Sequence, residues 1–157
     1  MKLNWKHGVG CGFLALALPV ALFYWSVSTM FRSTPEPLRR LEEVTEVTRL
    51  ALPAGSTLID GKVCRCWNAY LYARIRIPPH QVPQFWKQAP FGGKVSATKD
   101  ALGIHLPGEV RRAWRLDAVR DFRSAGGGDL YEEGASQALV SLDDPSDPVL
   151  YLYWFHN

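Results

Sequence analysis

Hydrophobic and polar positions along this chain follow three patterns, and each predicts a different element. From Gly12 to Phe31 the apolar run is unbroken: GFLALALPVALFYWSVSTMF covers twenty positions without a charged residue. That is about the length a helix needs to cross roughly 30 Å of hydrocarbon at about 1.5 Å per residue. From Ala69 to Ile77 the pattern alternates, with Ala69, Leu71, Ala73, Ile75 and Ile77 on one face of a strand and Tyr70, Tyr72, Arg74 and Arg76 on the other. Helical spacing is the third pattern. It links Leu38, Leu41, Val44 and Val47, then Val82, Phe85, Trp86 and Ala89, then Val110, Ala113 and Trp114. The first of these helices begins after Pro37, and the β-branched residues within Thr45 to Leu52 predict a change to strand near Glu46. The second has Pro83 in its first turn and is stopped by Pro90 and Gly92-Gly93. It is too short to stand alone in water, so Phe85 and Trp86 must pack on a sheet.

Turn chemistry divides the remainder. Ser56 to Ile59 and Lys62 to Trp67 read as extended pieces around Asp60-Gly61, which predicts a tight turn or else a bulge within one longer strand. Lys94 to Asp100 reads as a connection or weak strand, and Gly103 to Leu106 as a further short strand. Gly126-Gly127-Gly128 makes Phe122 to Glu133 a surface loop. No Lys-Ser or Lys-Thr follows those glycines, so they do not form a phosphate cradle. Gln137 to Leu142 and Val149 to His156 form a hairpin across the Asp- and Pro-rich stretch from Asp143 to Pro148. Its second strand, VLYLYWFH, is apolar on both faces, which predicts a central strand covered on each side.

Together these elements predict an α+β chain in which an N-terminal transmembrane helix precedes a small antiparallel-sheet domain with one or two short helices packed on it. The divisions are a short basic segment at 1–11, the transmembrane helix or signal anchor at 12–31, a Pro-containing linker at 32–37 and the domain at 38–157. A cleaved secretory signal shares the basic start and apolar run, but its apolar region is usually about 7–15 residues, and Val27, Met30 and Phe31 carry this one further. The expectation is a single-pass protein of the cytoplasmic (inner) membrane, with Lys2 and Lys6 inside and the C-terminal domain extracytoplasmic, on the periplasmic side.

Charge then narrows the partners. Of eighteen Lys and Arg residues, Lys2, Lys6 and Arg32 precede Ser33, which leaves fifteen bases against fifteen acids in the rest of the chain. A formally neutral domain lacks the basic footprint of a nucleic-acid binder, so no nucleic acid is expected.

Candidate chemistry is sparse. There is no G-x-S-x-G, H-E-x-x-H or C-x-x-C sequence, and Asp143, Asp144 and Asp147 lack the glycine and terminal glutamate of a calcium-binding EF-hand loop. No cofactor is expected. Cys64 and Cys66, at i and i+2 of an extended strand, face the same way with α-carbons roughly 6.5 Å apart, near the upper end for a disulfide. With His80, His105 or His156 they suit a soft metal or thiol-redox chemistry. Tyr70, Tyr72, Arg74 and Arg76 project together, and rings beside guanidinium groups can grip a partner; the plainer alternatives are a solvated sheet face or one covered by another element. The residues lead to the expectation of a membrane-anchored envelope module that binds or inhibits another protein without catalysis. A metal-binding or thiol-redox protein using Cys64 and Cys66 is the alternative.

Overall fold

A computed structural model describes residues 18–27, 34–65, 69–97, 106–127 and 134–156. The chain divides into two compact units, Met1–Thr34 and Pro35–Asn157. In the first unit the described residues form a helix, α1, at 18–27. Leu18, Val20, Leu22, Phe23, Tyr24 and Trp25 on it are each more than half exposed. No helix among the described residues is long and apolar enough to cross a membrane. The expected twenty-residue span is described only in its 18–27 portion, and the rest of the 12–31 stretch lies outside the described residues.

The second unit is organised by the strand that is apolar on both faces. Its strands are β1 (Glu36–Pro37), β2 (Thr57–Cys64), β3 (Ala69–Arg76), β4 (Phe122–Gly127), β5 (Ala135–Ser141) and β6 (Val149–His156), paired antiparallel in the order β1-β2-β3-β6-β5-β4. β6 lies inside the sheet, between β3 and β5, and Leu150 to Trp154 on it are all buried. Its register sets Tyr72 opposite Tyr153 and Ala73 opposite Leu152, so even and odd positions of β3 feed separate layers.

The first layer is aliphatic. Leu71, Ala73, Ile75 and Ile77 meet Leu150, Leu152, Ala138 and Val140, and the cluster is completed by Val44 of α2 (Leu41–Thr48) and by Phe85 and Trp86 of α3 (Val82–Lys87). A short 3₁₀ turn, Pro79–Gln81, leads into α3. Phe91 closes the cluster, with its ring centroid 5.3 Å from Phe85 and 5.5 Å from Trp86. The second layer is aromatic. Tyr72, Tyr151, Tyr153 and Leu139 on the sheet are covered by Leu106, by Val110 of α4 (Gly108–Ala113), and by Trp114, Leu116 and Val119, with a 3₁₀ turn at Leu116–Ala118.

Three expectations are corrected. The change to strand near Glu46 does not occur: α2 continues through Thr48, whose hydroxyl donates to the Val44 carbonyl at 2.7 Å, and ends at Arg49 in left-handed conformation (φ 57°). Asp60-Gly61 is not a turn, because β2 runs through it with a register shift between Leu58 and Asp60, the bulge alternative. A Cβ at Gly61 would stand 2.6 Å from the Tyr72 carbonyl oxygen and 2.9 Å from the Ala73 α-carbon, so glycine serves close strand approach there. Phe122 to Gly127 is strand β4 instead of loop; Ala125 is buried opposite Ala138, and Ser124 makes an isolated bridge with Ser96. Within the expected linker, Glu36–Pro37 pairs with Val63 and Lys62.

Candidate functional site

Because α4 is only six residues long, it covers the aromatic layer incompletely. It is held through Val110 and through Trp114 just beyond its end, 8% and 7% exposed respectively. Trp114 lies between two tyrosines, its ring centroid 5.8 Å from Tyr72 in edge contact and 5.6 Å from Tyr151. Beside it, toward the β1–β2 side of the sheet, a cleft of about 400 Å³ remains open. Tyr72, Val110, Ala113 and Trp114 supply its apolar lining, and Asp60, Lys62 and Glu109 its charges. Pro37 and Gly61 complete it. A concave, mostly apolar site of that size with a few converging polar groups is the usual form of a ligand pocket, about 300–1,000 Å³.

The bulge in β2 decides which charges face the cleft, since it sets Asp60 opposite Arg74 and Lys62 opposite Tyr72. Arg74 donates from its terminal nitrogen to Oδ2 of Asp60 at 2.8 Å. The other carboxylate oxygen, Oδ1, is shielded and has no hydrogen-bond partner, as is Nε of Arg74. Glu109, exposed in the first turn of α4, makes no hydrogen bond or ion pair among the described residues. Burial pushes the Tyr72 phenol above its ordinary value, and the charges of Tyr70, Glu109 and Asp60 add to that rise. Tyr151 and Tyr153 are also raised, in each case mainly by burial; for Tyr151, Arg74 opposes the rise while Asp143 and Asp60 reinforce it.

The four residues expected to grip a partner share one face but not one environment. Tyr72 is 5% exposed beneath Trp114, and Tyr70 is half-buried and stacked on it with ring centroids 6.3 Å apart. Arg74 is engaged by Asp60, and the Nε of Arg76 donates to Asp147 at 2.6 Å. Tyr72 alone of the four lines the cleft. Cys64 is 2% exposed and disulfide-bonded, while Cys66 lies outside the described residues. Among the described residues no three of His, Cys, Asp and Glu are grouped to hold a metal ion.

The carboxylates of Asp143 and Asp144 in the acidic hairpin loop are engaged by donors of the chain itself. Asp143 accepts from the Asp121 amide at 2.7 Å and the Arg120 amide at 3.0 Å. Asp144 accepts from the Ser146 hydroxyl at 2.6 Å and from its amide, and those bonds lower its carboxyl below the ordinary value.

Asp60, Lys62, Glu109, Val110 and Ala113 were not singled out by the sequence as a site. Two signals pointed toward it: Trp114 on the inward side of a short helix, and Tyr72 on the face opposite the aliphatic one. Nothing in the local pattern joined positions so far apart in the chain. No protein-family model matches this chain, and no curated protein or solved structure is significantly similar to it.

Proposed function

We propose that this chain is a tethered, non-catalytic binding module that recognises its partner in the cleft beside Trp114. The observation that carries this reading is the cleft itself, an aromatic-floored concavity rimmed by Asp60, Glu109 and Lys62. Tyr72 and Trp114, only 5% and 7% exposed, reach the cleft by their edges and with Val110 and Ala113 give it an apolar lining. The partner is a protein of the cell envelope, and nucleic acid is disfavoured by the neutral charge of the domain.

The tether is the apolar stretch from Gly12 to Phe31, whose described part, α1, displays large apolar side chains to its surroundings. A helix apolar on every side gains by burial in lipid or in protein. With the basic residues Lys2 and Lys6 kept inside, the domain would lie outside the cytoplasmic membrane. The disulfide at Cys64 supports that placement, because such bonds persist chiefly in oxidising compartments. The same bond favours a second reading, thiol-redox exchange through Cys64 and Cys66, which thiol labelling of the purified chain before and after reduction would test.

Ala113 is exposed on the wall of the cleft, so Ala113→Trp fills it from the solvent side without entering the core. After mild cross-linking in membranes, the full-length wild-type chain should retain partners that Ala113→Trp loses. Equal retention by both would remove the cleft as the binding site.

A further inference from the structure

The wall of the cleft that comes first in the chain, Pro37, is also its least secured. It belongs to β1, the edge strand of the sheet and the first element of the unit that begins at Pro35. Only two register pairs attach β1, Glu36 to Val63 and Pro37 to Lys62, and both of its residues are exposed. Pro37 has no N–H to give the ladder. The ion pair between Glu36 and Arg65, 3.6 Å long with both side chains more than half exposed, adds little. What holds the segment is the next residue. Leu38 is 7% exposed within the aliphatic cluster, and its amide donates to the Gly61 carbonyl at 3.0 Å. Its Cδ1 would stand 2.8 Å from a Cβ at Gly61, so the missing side chain there is what lets Leu38 seat. Pro37, one position before that anchor, lines the cleft beside Gly61, Lys62 and Tyr72.

On the reading that the cleft is the binding site, we infer that β1 is a releasable strap. Seated, it gives the cleft its Pro37 wall; released at Leu38, it takes that wall away while the rest of the sheet stays paired. A short edge segment with one buried anchor opens at far lower cost than β3 or β6, each of which is paired on both sides. The chain that precedes the domain joins it through this segment, so a pull along that chain acts on the strap before any other element. A partner that fits the seated form favours seating, and by the same coupling release of the strap weakens the partner.

The test begins with the full-length chain in non-ionic detergent micelles. Amide hydrogen exchange should be about a hundredfold or more faster at Leu38 than at Leu152 inside β6. Val140→Ala trims the same aliphatic cluster on β5, away from the strap, and should speed exchange at Leu152 while leaving Leu38 as it was. Leu38→Ala should shift the amide resonance of Ala113, which lines the cleft from α4, and Val140→Ala should leave it in place. Exchange at Leu38 as slow as at Leu152, equal acceleration of both by Val140→Ala, or an Ala113 resonance unmoved by Leu38→Ala would overturn the strap. In intact membranes, Leu38→Ala should lower severalfold the yield of partner adduct from a photoreactive residue at position 113, and Val140→Ala should not. An adduct of equal yield with and without Leu38→Ala refutes the coupling. Should the otherwise wild-type chain give no adduct there, the binding reading fails, and the exchange and resonance results still decide the strap.

Discussion

Replacing Trp114 by alanine removes the contact that holds α4 over the sheet, and its cost can be worked from the surroundings of that ring. Trp114 is 7% exposed and touches Tyr72 and Tyr151 at centroid distances of 5.8 and 5.6 Å. Truncating a buried aromatic ring to alanine costs about 3–5 kcal/mol. This case belongs toward the upper end, for α4 has Val110 as its one buried residue, and a six-residue helix has no stability of its own. A loss of that size is a large fraction of the roughly 5–15 kcal/mol that keeps a typical domain folded. Urea unfolding of the full-length chain, followed by circular dichroism, measures the loss. Tyrosinate absorbance during alkaline titration adds a local readout: without Trp114, the Tyr72 phenol should ionise closer to its ordinary value, because burial is the main cause of its rise. Trp114→Phe, which keeps a ring in place, should lose much less on both measures. A Trp114→Ala chain within about 1 kcal/mol of wild type, with an unchanged tyrosine titration, would refute the account of how the second layer is attached.

Three further outcomes follow from the packing. Tyr72, Tyr151 and Tyr153 all have folded values above the ordinary 10.0 of a free tyrosine, so their contribution is fully present below that value and is lost as pH rises through the higher folded ones; urea midpoints should fall on the alkaline side of pH 10.0. Gly61→Ala places a Cβ 2.6 Å from the Tyr72 carbonyl oxygen and should lower stability by about 1–3 kcal/mol through overpacking, visible as a reduced unfolding temperature. Leu152→Ala empties a fully buried position at the centre of the aliphatic layer and should cost about 2–5 kcal/mol in urea unfolding.

Local patterns revealed those elements whose period is set by one dominant packing partner. The alternation in Ala69 to Ile77 became β3, the spacing of Phe85 and Trp86 became the buried face of α3, and the doubly apolar final segment became the interior strand β6. Patterns failed where a tertiary contact overrides a residue's local habit. Gly126 and Gly127 read as loop residues, yet β5 supplies a full ladder of partners that holds them extended. Thr45 and Thr48 read as strand residues, yet each hydroxyl can bond to a helical carbonyl four residues back, at 3.4 and 2.7 Å. Asp60-Gly61 carried the right composition for a turn, and only the approach of Tyr72 and Ala73 makes it a bulge in a continuous strand.

The candidate site was harder to read for the same reason. Tyr72 was legible as a residue on the face opposite the core, but whether that face is wet or roofed depends on Val110 and Trp114, which arrive from a distant helix. Their arrival buries Tyr72, leaves Arg74 and Arg76 in ion pairs with Asp60 and Asp147, and moves the accessible concavity to the edge of the roof. Glu109 belongs to that edge because it precedes Val110 on a helix whose inward side is fixed by Trp114.

A photoreactive residue placed at Ala113 of the full-length chain, in intact membranes, tests the binding role of the cleft most directly. The account predicts a discrete protein adduct from position 113 and none from a photoreactive residue at Lys87, which is exposed on α3 against the opposite layer. Adducts of equal yield from both positions, or from Lys87 alone, would contradict it.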